Sequence, residues 1–168
     1  MNDNRLTGNS KSAVDILGRK WKYKCMGCSI SKYDIDPPGG IIYENDFFLV
    51  HQDPEVPIKG FIVLTCKQHF NSINDLNDEQ RSKLMKLINE VIRYLKELKV
   101  TEQVTIVQEE QSKHLHIWIF PHHSWMDDKF GKGVSYLRDI CEYAQANSTQ
   151  NEISEILNIV NKLRNKIN

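Results

Sequence analysis

Residues 114–120, His-Leu-His-Ile-Trp-Ile-Phe, alternate aliphatic side chains with two histidines and a tryptophan. A period of two is typical of a β-strand that buries one face, because successive side chains point to opposite sides of a strand. The sequence therefore places Leu115, Ile117 and Ile119 in a core. The opposite face would carry His114 and His116 together, which makes it a candidate for a metal ligand, a nucleophile, or one of each.

The chain has 168 residues, enough for one domain with a hydrophobic core. Its 22 lysines and arginines balance 22 aspartates and glutamates, so its formal net charge is zero. Proteins that hold polymeric nucleic acid by bulk charge need a basic surface, so we expect no such partner, although a single nucleotide needs only a few local donors. No apolar run approaches the roughly 20 residues that cross a bilayer, so we expect no membrane partner either.

The first ten residues are polar and lack the apolar stretch of a secretion signal, which predicts a cytoplasmic protein. In that compartment cysteines are more often thiols or metal ligands than disulfides. This expectation applies to all four cysteines: Cys25, Cys28, Cys66 and Cys141.

Hydrophobic periodicity predicts an α+β fold, in which helices pack on an antiparallel sheet. The clearest helix begins after Asn77, a suitable N-cap, and carries leucines, isoleucines and valines at spacings of three and four. The strands are expected at residues 41–44, 47–51, 60–66 (in the centre of the sheet), 104–107 and 114–120. Two further helices are expected at residues 134–146 and 152–167. Residues 1–12 are expected to form a flexible tail, 13–130 the main domain and 131–168 a helical extension packed on it.

Cys25-Met26-Gly27-Cys28 is a pair of cysteines separated by two residues. A tight turn would aim both thiolates at one tetrahedral metal, and His69 and His114 are candidates for the two remaining ligands. The spacing alone leaves two other interpretations open, namely two buried thiols or a redox pair.

Five segments, taken in order, resemble the histidine-triad (HIT) superfamily of nucleotide hydrolases and transferases, and among them the HIT-like diadenosine tetraphosphate hydrolases. The segments are CMGC, IIYENDFFLV, PIKGFIVLTCKQHF, the long helix, and QSKHLHIWIFP. The resemblance implies a five-stranded antiparallel sheet with the long helix packed on it, often paired into a homodimer.

The resemblance also implies roles for individual residues. His116 matches the nucleophile, which would attack the α-phosphorus of a nucleotide and form a covalent nucleotidyl-histidine. A backbone carbonyl could hold its second ring nitrogen and set the tautomer. Cys25, Cys28, His69 and His114 match the four ligands of a structural zinc ion in the zinc-containing branches.

Polar residues before the motif match positions that touch the phosphate or the leaving group. Gln111 and Ser112 match a catalytic polar pair, although Ser112 is equally compatible with an ordinary loop serine. Gln108 stands where many members have an asparagine that contacts the phosphate side.

Trp118 occupies the position of the third histidine of the motif. An indole has one donor and cannot pass a proton, although it could donate to a phosphoryl oxygen or stack on a base. The alternative is that Trp118 packs against the C-terminal helices and that the site has lost activity.

Two further positions depart from the family pattern. Many members have an acidic residue for the ribose near His51, so the ribose contact here would fall to His51, Gln52 or Asp53. His122 and His123 could bind terminal phosphates, but we expect them to be solvated loop residues.

Two functions follow from these residues. The first is a hydrolase or nucleotidyl transferase acting on a dinucleoside polyphosphate, such as diadenosine tetraphosphate, or on a nucleoside phosphoramidate. The second is a nucleotide-binding or interaction module that retains the fold and the zinc but has little or no turnover.

Overall fold

The computed structural model describes residues 10–167. Most of the expected tail lies outside the described residues, and its last two positions, Lys11 and Ser12, belong to the first strand. No helix in the described range is both long and apolar enough to cross a membrane.

Within residues 10–167, seven strands form two antiparallel sheets. A small hairpin pairs β1 (Lys11–Val14) with β2 (Lys20–Tyr23). The main sheet has five strands in the order β3-β4-β5-β7-β6. Its strands are β3 (Tyr43–Glu44), β4 (Phe48–Gln52), β5 (Ile62–Cys66), β6 (Val104–Val107) and β7 (His116–Pro121). The expected α+β fold, including the central position of β5, is confirmed.

Five α-helices and two short 3-10 helices complete the described part of the fold. The α-helices are α1 (Met26–Ser31), α2 (Asp78–Glu97), α3 (Ser124–Phe130), α4 (Leu137–Asn147) and α5 (Gln150–Ile167). Asn77 caps α2 as predicted, and Gln80 reciprocates by accepting from the Asn77 backbone N–H, which completes a capping box.

One face of the main sheet packs against α2 and α5 to form the largest core. The alternation in β7 puts Leu115, Ile117 and Ile119 into this core, where each is at most 2% exposed. The helices contribute residues at spacings of three and four, which gives each a single apolar stripe. Those buried residues are Leu84, Leu87, Ile88, Val91 and Leu95 from α2 and Ile159, Val160 and Leu163 from α5.

The opposite face of the sheet carries two smaller apolar clusters. One cluster contains Phe61, Val63 and Phe120 from the sheet together with Ile140 and Ala144 from α4, so the C-terminal extension packs on this face. The other contains Leu49 with Ile30 and Ile35 from the α1 region. His116 and Trp118 lie on this face, between the segments that supply the two clusters.

The sequence patterns did not predict α1, α3 or the β1–β2 hairpin. These elements are four to seven residues long, too short for a hydrophobic period to be visible.

A matched pair of isoleucines on the same face of the sheet tests how far the largest core extends toward the edge strand β6. Ile119 is fully buried, whereas its cross-strand partner Ile106 on β6 is 51% exposed. We expect Ile119→Ala to lower the free energy of unfolding by about 2–5 kcal/mol because it leaves a cavity. Ile106→Ala should cost only about 0.5 kcal/mol. Urea denaturation of both variants would measure this, and equal losses would contradict the difference in burial between β7 and the edge strand β6.

Candidate functional site

Four side chains from three parts of the chain converge on one point. The Nδ1 atom of His69 lies 3.0 Å from Cys28 Sγ and 3.7 Å from Cys25 Sγ. The Nδ1 atom of His114 lies 3.2 Å from Cys25 Sγ and 3.5 Å from Cys28 Sγ, and the two Nδ1 atoms are 3.2 Å apart. These four ligand atoms all lie within 4.8 Å of one another, and the cluster could hold a metal ion.

The separations fit a tetrahedral zinc ion. Zn–S bonds of about 2.3 Å and Zn–N bonds of about 2.0–2.1 Å give sulfur–nitrogen edges of about 3.5 Å and a nitrogen–nitrogen edge of about 3.4 Å. The observed sulfur–nitrogen edges of 3.0–3.7 Å bracket the first value, and the nitrogen–nitrogen edge of 3.2 Å is close to the second. With four protein ligands, such a site is closed to substrate and serves structure rather than catalysis.

A short helix, not a tight turn, aligns the two cysteines. Cys25 is the N-cap of α1 and Cys28 lies in its first turn. Gly27 between them lies directly against the His114 ring, because a Cβ atom added there would be 2.3 Å from His114 Cδ2. The expected tight turn is therefore wrong, and the close approach of His114 explains why a glycine occupies position 27.

Backbone hydrogen bonds hold the loop of His69 beside the start of β7. The Leu115 N–H donates to the Phe70 carbonyl at 2.6 Å, and the Cys66 N–H donates to the Leu115 carbonyl at 3.1 Å. His69 itself is exposed, whereas His114 is 3% exposed. The two histidines are thus brought together by strand pairing, although 44 residues lie between them.

The tautomer of His114 follows from its second nitrogen. Nε2 lies 2.8 Å from the Cys66 carbonyl, which can only accept, so Nε2 carries the proton and Nδ1 offers its lone pair to the cluster. Burial lowers the pKa of His114 to about 4, which keeps the ring neutral, as a metal ligand must be.

His116 has the opposite tautomer. Its Nδ1 lies 2.8 Å from the His114 carbonyl and donates to it, so the lone pair is on Nε2. Nε2 has no hydrogen-bond partner among the described residues. His116 lines two cavities, one next to the N-terminal segment and one next to the C-terminal extension. The carbonyl contact expected from the sequence is thus present, and it leaves Nε2 as the ring nitrogen available to an open site.

The first cavity has a volume of about 250 Å³ and lies between the sheet and the N-terminal segment. The hairpin that forms part of its wall is attached to the loop after β4, because the Ile16 N–H donates to the Pro54 carbonyl at 2.9 Å. Aromatic and aliphatic lining residues are Tyr23, Met26, Ile30, Val63 and Trp118. Such a lining suits one planar ring with a few polar contacts.

His51 forms part of the floor of this cavity, but both of its ring nitrogens are already used. Nδ1 donates to the Gln52 carbonyl at 2.8 Å, and Nε2 accepts from the Thr65 hydroxyl at 2.9 Å. Burial lowers the pKa of His51 to about 4, so the ring stays neutral. The expectation that His51 contacts a ribose is therefore not supported.

Asp53 is the better candidate for a sugar contact, and Gln52 is not one. Gln52 lies on the other side of the strand and donates to the Ile58 carbonyl at 3.1 Å. Asp53 lines the first cavity, and its Oδ1 accepts from the backbone N–H groups of Glu55 and Val56 at 2.9 Å each. Burial raises the pKa of Asp53 to about 7.

Trp118 lines both cavities and packs on the apolar cluster that contains Phe61 and Phe120. Its ring meets the Phe61 ring edge-on, with centroids 5.2 Å apart, and it also contacts the cluster that contains Ile140 of α4. The packing of Trp118 against the C-terminal helices remains a prediction, and the indole lines both cavities.

The loop before β7 places only part of the predicted polar set beside His116. Ser112 Oγ lies 3.3 Å from the His114 carbonyl and 3.5 Å from His116 Nδ1. Gln111 and Ser112 line the second cavity, and both of their backbone N–H groups donate to the Glu109 carboxylate. Gln108 lines neither cavity, so its expected phosphate contact is not supported.

The second cavity has a volume of about 720 Å³ and lies between β7 and the C-terminal extension. Its extension wall consists of Val134, Ser135, Leu137, Arg138 and Cys141. Sequence patterns marked this segment as a helix without indicating that it faces the site. Thr65, which lines the first cavity, was also missed. Its only signal in the sequence is that it is a polar residue inside an apolar strand.

His122 and His123 do not reach these cavities. His122 Nε2 lies 3.1 Å from Thr105 Oγ1, and His123 Nε2 donates to the Lys59 carbonyl at 2.9 Å. Both are half-buried, so the expectation that they are solvated is wrong, and they serve the packing at the end of β7.

The protein is thus a small α+β domain with a Cys2His2 cluster beside the His116 imidazole on its antiparallel sheet. The chain belongs to the HIT family, because the model of the HIT domain matches residues 36–125. No curated protein sequence matches the chain.

Three solved structures show the shared fold. A Zn-bound histidine triad family protein from Mycobacterium smegmatis is 16% identical, with a TM-score of 0.57, and the match covers 84% of this chain and 96% of that one. A hypothetical histidine triad nucleotide-binding protein from Sulfolobus tokodaii is 18% identical, with a TM-score of 0.59 and coverage of 84% and 93%. A Hit-like protein involved in cell-cycle regulation from Bartonella henselae is 17% identical, with a TM-score of 0.58 and coverage of 82% and 92%.

Metal analysis tests the cluster. We expect the purified protein to carry one zinc ion per chain by elemental mass spectrometry, and Cys28→Ser and His69→Ala to lose it during dialysis. Cys141→Ser is the matched control, because that thiol lies outside the cluster and its loss should leave the zinc content unchanged. A metal-free wild type in which Cys25 and Cys28 cycle between thiol and disulfide would favour the redox interpretation instead.

The burial of Asp53 predicts a pH dependence of stability. The raised pKa means that the folded protein retains a proton which the unfolded chain releases above its ordinary pKa of 3.8. The free energy of unfolding should therefore fall as the pH rises from about 4 to about 7, by up to about 4 kcal/mol.

Asp53→Asn should abolish this loss while keeping an oxygen for the Glu55 and Val56 amides. Because buried histidines titrate in the same range with the opposite sign, the informative quantity is the difference between wild type and variant at each pH. We expect that difference to favour the variant increasingly from pH 4.5 to pH 8 in urea denaturation. A constant difference would contradict a buried carboxyl group with a raised pKa.

Proposed function

We propose that this chain is a nucleotide hydrolase or nucleotidyl transferase that attacks the α-phosphorus of a nucleotide through Nε2 of His116. One observation carries the proposal. The imidazole of His116, whose Nδ1 is held at 2.8 Å by the His114 carbonyl, lines two cavities with Nε2 unpaired among the described residues. Neutral imidazole is a good nucleophile near pH 7, and membership of the HIT family supports this chemistry.

In the first step the Nε2 lone pair forms a bond to the α-phosphorus, and the bond from phosphorus to the leaving group breaks. The leaving group departs with the bonding electron pair. The His114 carbonyl stabilises the positive charge that develops on the ring, because Nδ1–H donates to it throughout. The product is a nucleotidyl-histidine.

In the second step water, or another acceptor, attacks the same phosphorus from the side that the leaving group vacated. The phosphorus–nitrogen bond breaks, its electrons return to Nε2, and the acceptor loses its proton to the surrounding water. His116 is then neutral again, and a nucleoside monophosphate or its ester is released. Two displacements replace one difficult displacement.

The first cavity is the proposed site of the nucleoside. Its apolar walls, which include Tyr23 and Met26, suit a base, and Asp53 lies where a carboxylate could accept from ribose hydroxyls. A hydroxyl bound there would favour the ionised carboxylate, so nucleoside binding would lower the pKa of Asp53.

Trp118 favours one class of substrate over another. An amine that leaves a nucleoside phosphoramidate must gain a proton, and the indole cannot supply one from an ionising group. When the substrate is a dinucleoside polyphosphate, the departing group is a nucleoside polyphosphate. It departs as an anion and needs no proton donor. Ser112 lines both cavities, but its hydroxyl donates to the His114 carbonyl at 3.3 Å, so it would have to turn to reach the departing oxygen. We therefore favour a dinucleoside polyphosphate, such as diadenosine tetraphosphate.

Cys25, Cys28, His69 and His114 would hold zinc, and its role in this proposal is structural. A bound ion cross-links α1, the loop after β5 and the start of β7. Because His114 also supplies the carbonyl that holds His116, the cluster fixes the position of the nucleophile without taking part in the reaction.

The packing of Trp118 against Phe61 also favours a second candidate, a nucleotide-binding module without turnover. In that case the first cavity would still bind a nucleoside monophosphate. The two candidates differ only in whether a covalent intermediate forms.

Intact-protein mass spectrometry after a rapid quench tests the proposal. With diadenosine tetraphosphate we expect an adenylyl adduct that maps to His116, and release of adenosine nucleotides by chromatography. His116→Ala should reduce turnover by at least about 1000-fold, because the covalent route is lost, and should still bind AMP.

His122→Ala is the matched control, because this histidine follows the same strand and lines neither cavity next to His116. It should retain turnover close to that of the wild type. A wild type that binds AMP but forms neither adduct nor product with any dinucleotide or phosphoramidate would support the module instead.

A further inference from the structure

The second cavity adjoins His116 on the side away from the proposed nucleoside site. His116, Trp118 and Ser112 line both cavities, so the nucleophile stands at their junction. A displacement at phosphorus places the attacking and leaving atoms roughly in line, so the leaving half of a substrate points away from Nε2 on the far side of phosphorus and needs a site separate from that of the first nucleoside. At about 720 Å³, the second cavity is large enough for a ring system with a phosphate chain.

The lining of this cavity is largely apolar and comes from two parts of the chain. Val107 and Trp118 form the sheet side, and Leu137 and Cys141 form the extension side. Burial raises the pKa of the Cys141 thiol to about 12, so it stays neutral and adds no charge to the wall. Walls of this kind suit a planar ring better than a hydrated small ion.

One cation lies on the extension wall. Arg138 is exposed and lines the cavity, and no ion pair or hydrogen bond engages its side chain within residues 10–167. The acidic residue of the lining, Glu109, is occupied with the backbone N–H groups of Gln111 and Ser112. A guanidinium without a partner beside an apolar wall fits a ligand that combines a ring with phosphate.

We propose that α4 and the turn before it form a binding subsite for the leaving half of the substrate, a second nucleoside joined through phosphates. Arg138 binds the phosphate chain, and Trp118 and Leu137 contact the ring. The subsite rests on the proposed reaction at His116 for its orientation. It makes the C-terminal extension the element that distinguishes a dinucleotide from a mononucleotide.

Calorimetry on the full chain tests the subsite without requiring turnover. The probes are AMP and a methylene-bridged analogue of diadenosine tetraphosphate that cannot be cleaved. We expect the wild type to bind the analogue more tightly than AMP. Arg138→Gln should weaken binding of the analogue by about tenfold and change the affinity for AMP by less than about twofold.

Lys132→Gln is the matched control, because it removes the same charge from an exposed residue in the connection before α4 that is outside the lining. It should leave both affinities unchanged. Leu137→Ala provides a second test of the wall and should weaken binding of the analogue alone.

The subsite is overturned if the wild type binds both probes equally, or if Arg138→Gln weakens both probes equally or neither. Cleavage of diadenosine tetraphosphate, measured separately, distinguishes the two proposals. Binding that depends on Arg138 without cleavage upholds the subsite and overturns the reaction at His116. Cleavage that does not respond to Arg138→Gln upholds the reaction and overturns the subsite.

Discussion

Two histidines on the same face of one strand have opposite tautomers, and the site depends on this difference. His114 donates from Nε2 to the Cys66 carbonyl, and His116 donates from Nδ1 to the His114 carbonyl. Each carbonyl can only accept, so each fixes which nitrogen keeps its lone pair. As a result His114 turns Nδ1 toward the cysteines, while His116 turns Nε2 toward the cavities.

The hydrophobic core sets the positions of both rings. Leu115 lies between them in the sequence and points to the other side of the sheet, where it is 1% exposed. A shift of β7 by one residue would exchange the faces of the strand, exposing the aliphatic residues and burying both imidazoles. The free energy of burying Leu115 and its neighbours therefore also specifies the register that brings His114 to the metal cluster and His116 to the cavities.

Local patterns predicted the elements that have a visible period and missed what depends on contacts between distant segments. The alternation at residues 114–120 and the cap at Asn77 gave β7 and α2 correctly, since both follow from a single stretch of chain. Spacing alone left zinc undecided, and only the meeting of Cys25 with His114, 89 residues apart in sequence, brings four ligand atoms together.

The polar residues of the cavities were harder to assign, for a physical reason. A histidine near a sugar site resembles a ligand contact in the sequence, but whether its nitrogens are free depends on neighbours from other strands. His51 is occupied by Thr65, which lies on the neighbouring strand, and Gln108 lines neither cavity. Arg138 carried no signal, because a helix period does not indicate which other element the helix faces.

The family match and the cavity walls occupy different parts of the chain. The HIT domain model covers residues 36–125, which include His69, His114 and His116. Tyr23 and Met26 in the wall of the first cavity precede this range, and residues 134–141 in the wall of the second follow it. His116 and two of the four residues of the metal cluster thus lie within the part of the chain that the HIT model matches, while segments outside it give the cavities their shape. Substitutions in those walls can change which molecule fits without disturbing the hydrogen bond that holds His116, so in this fold the shape of the cavities is separable from the geometry of β7.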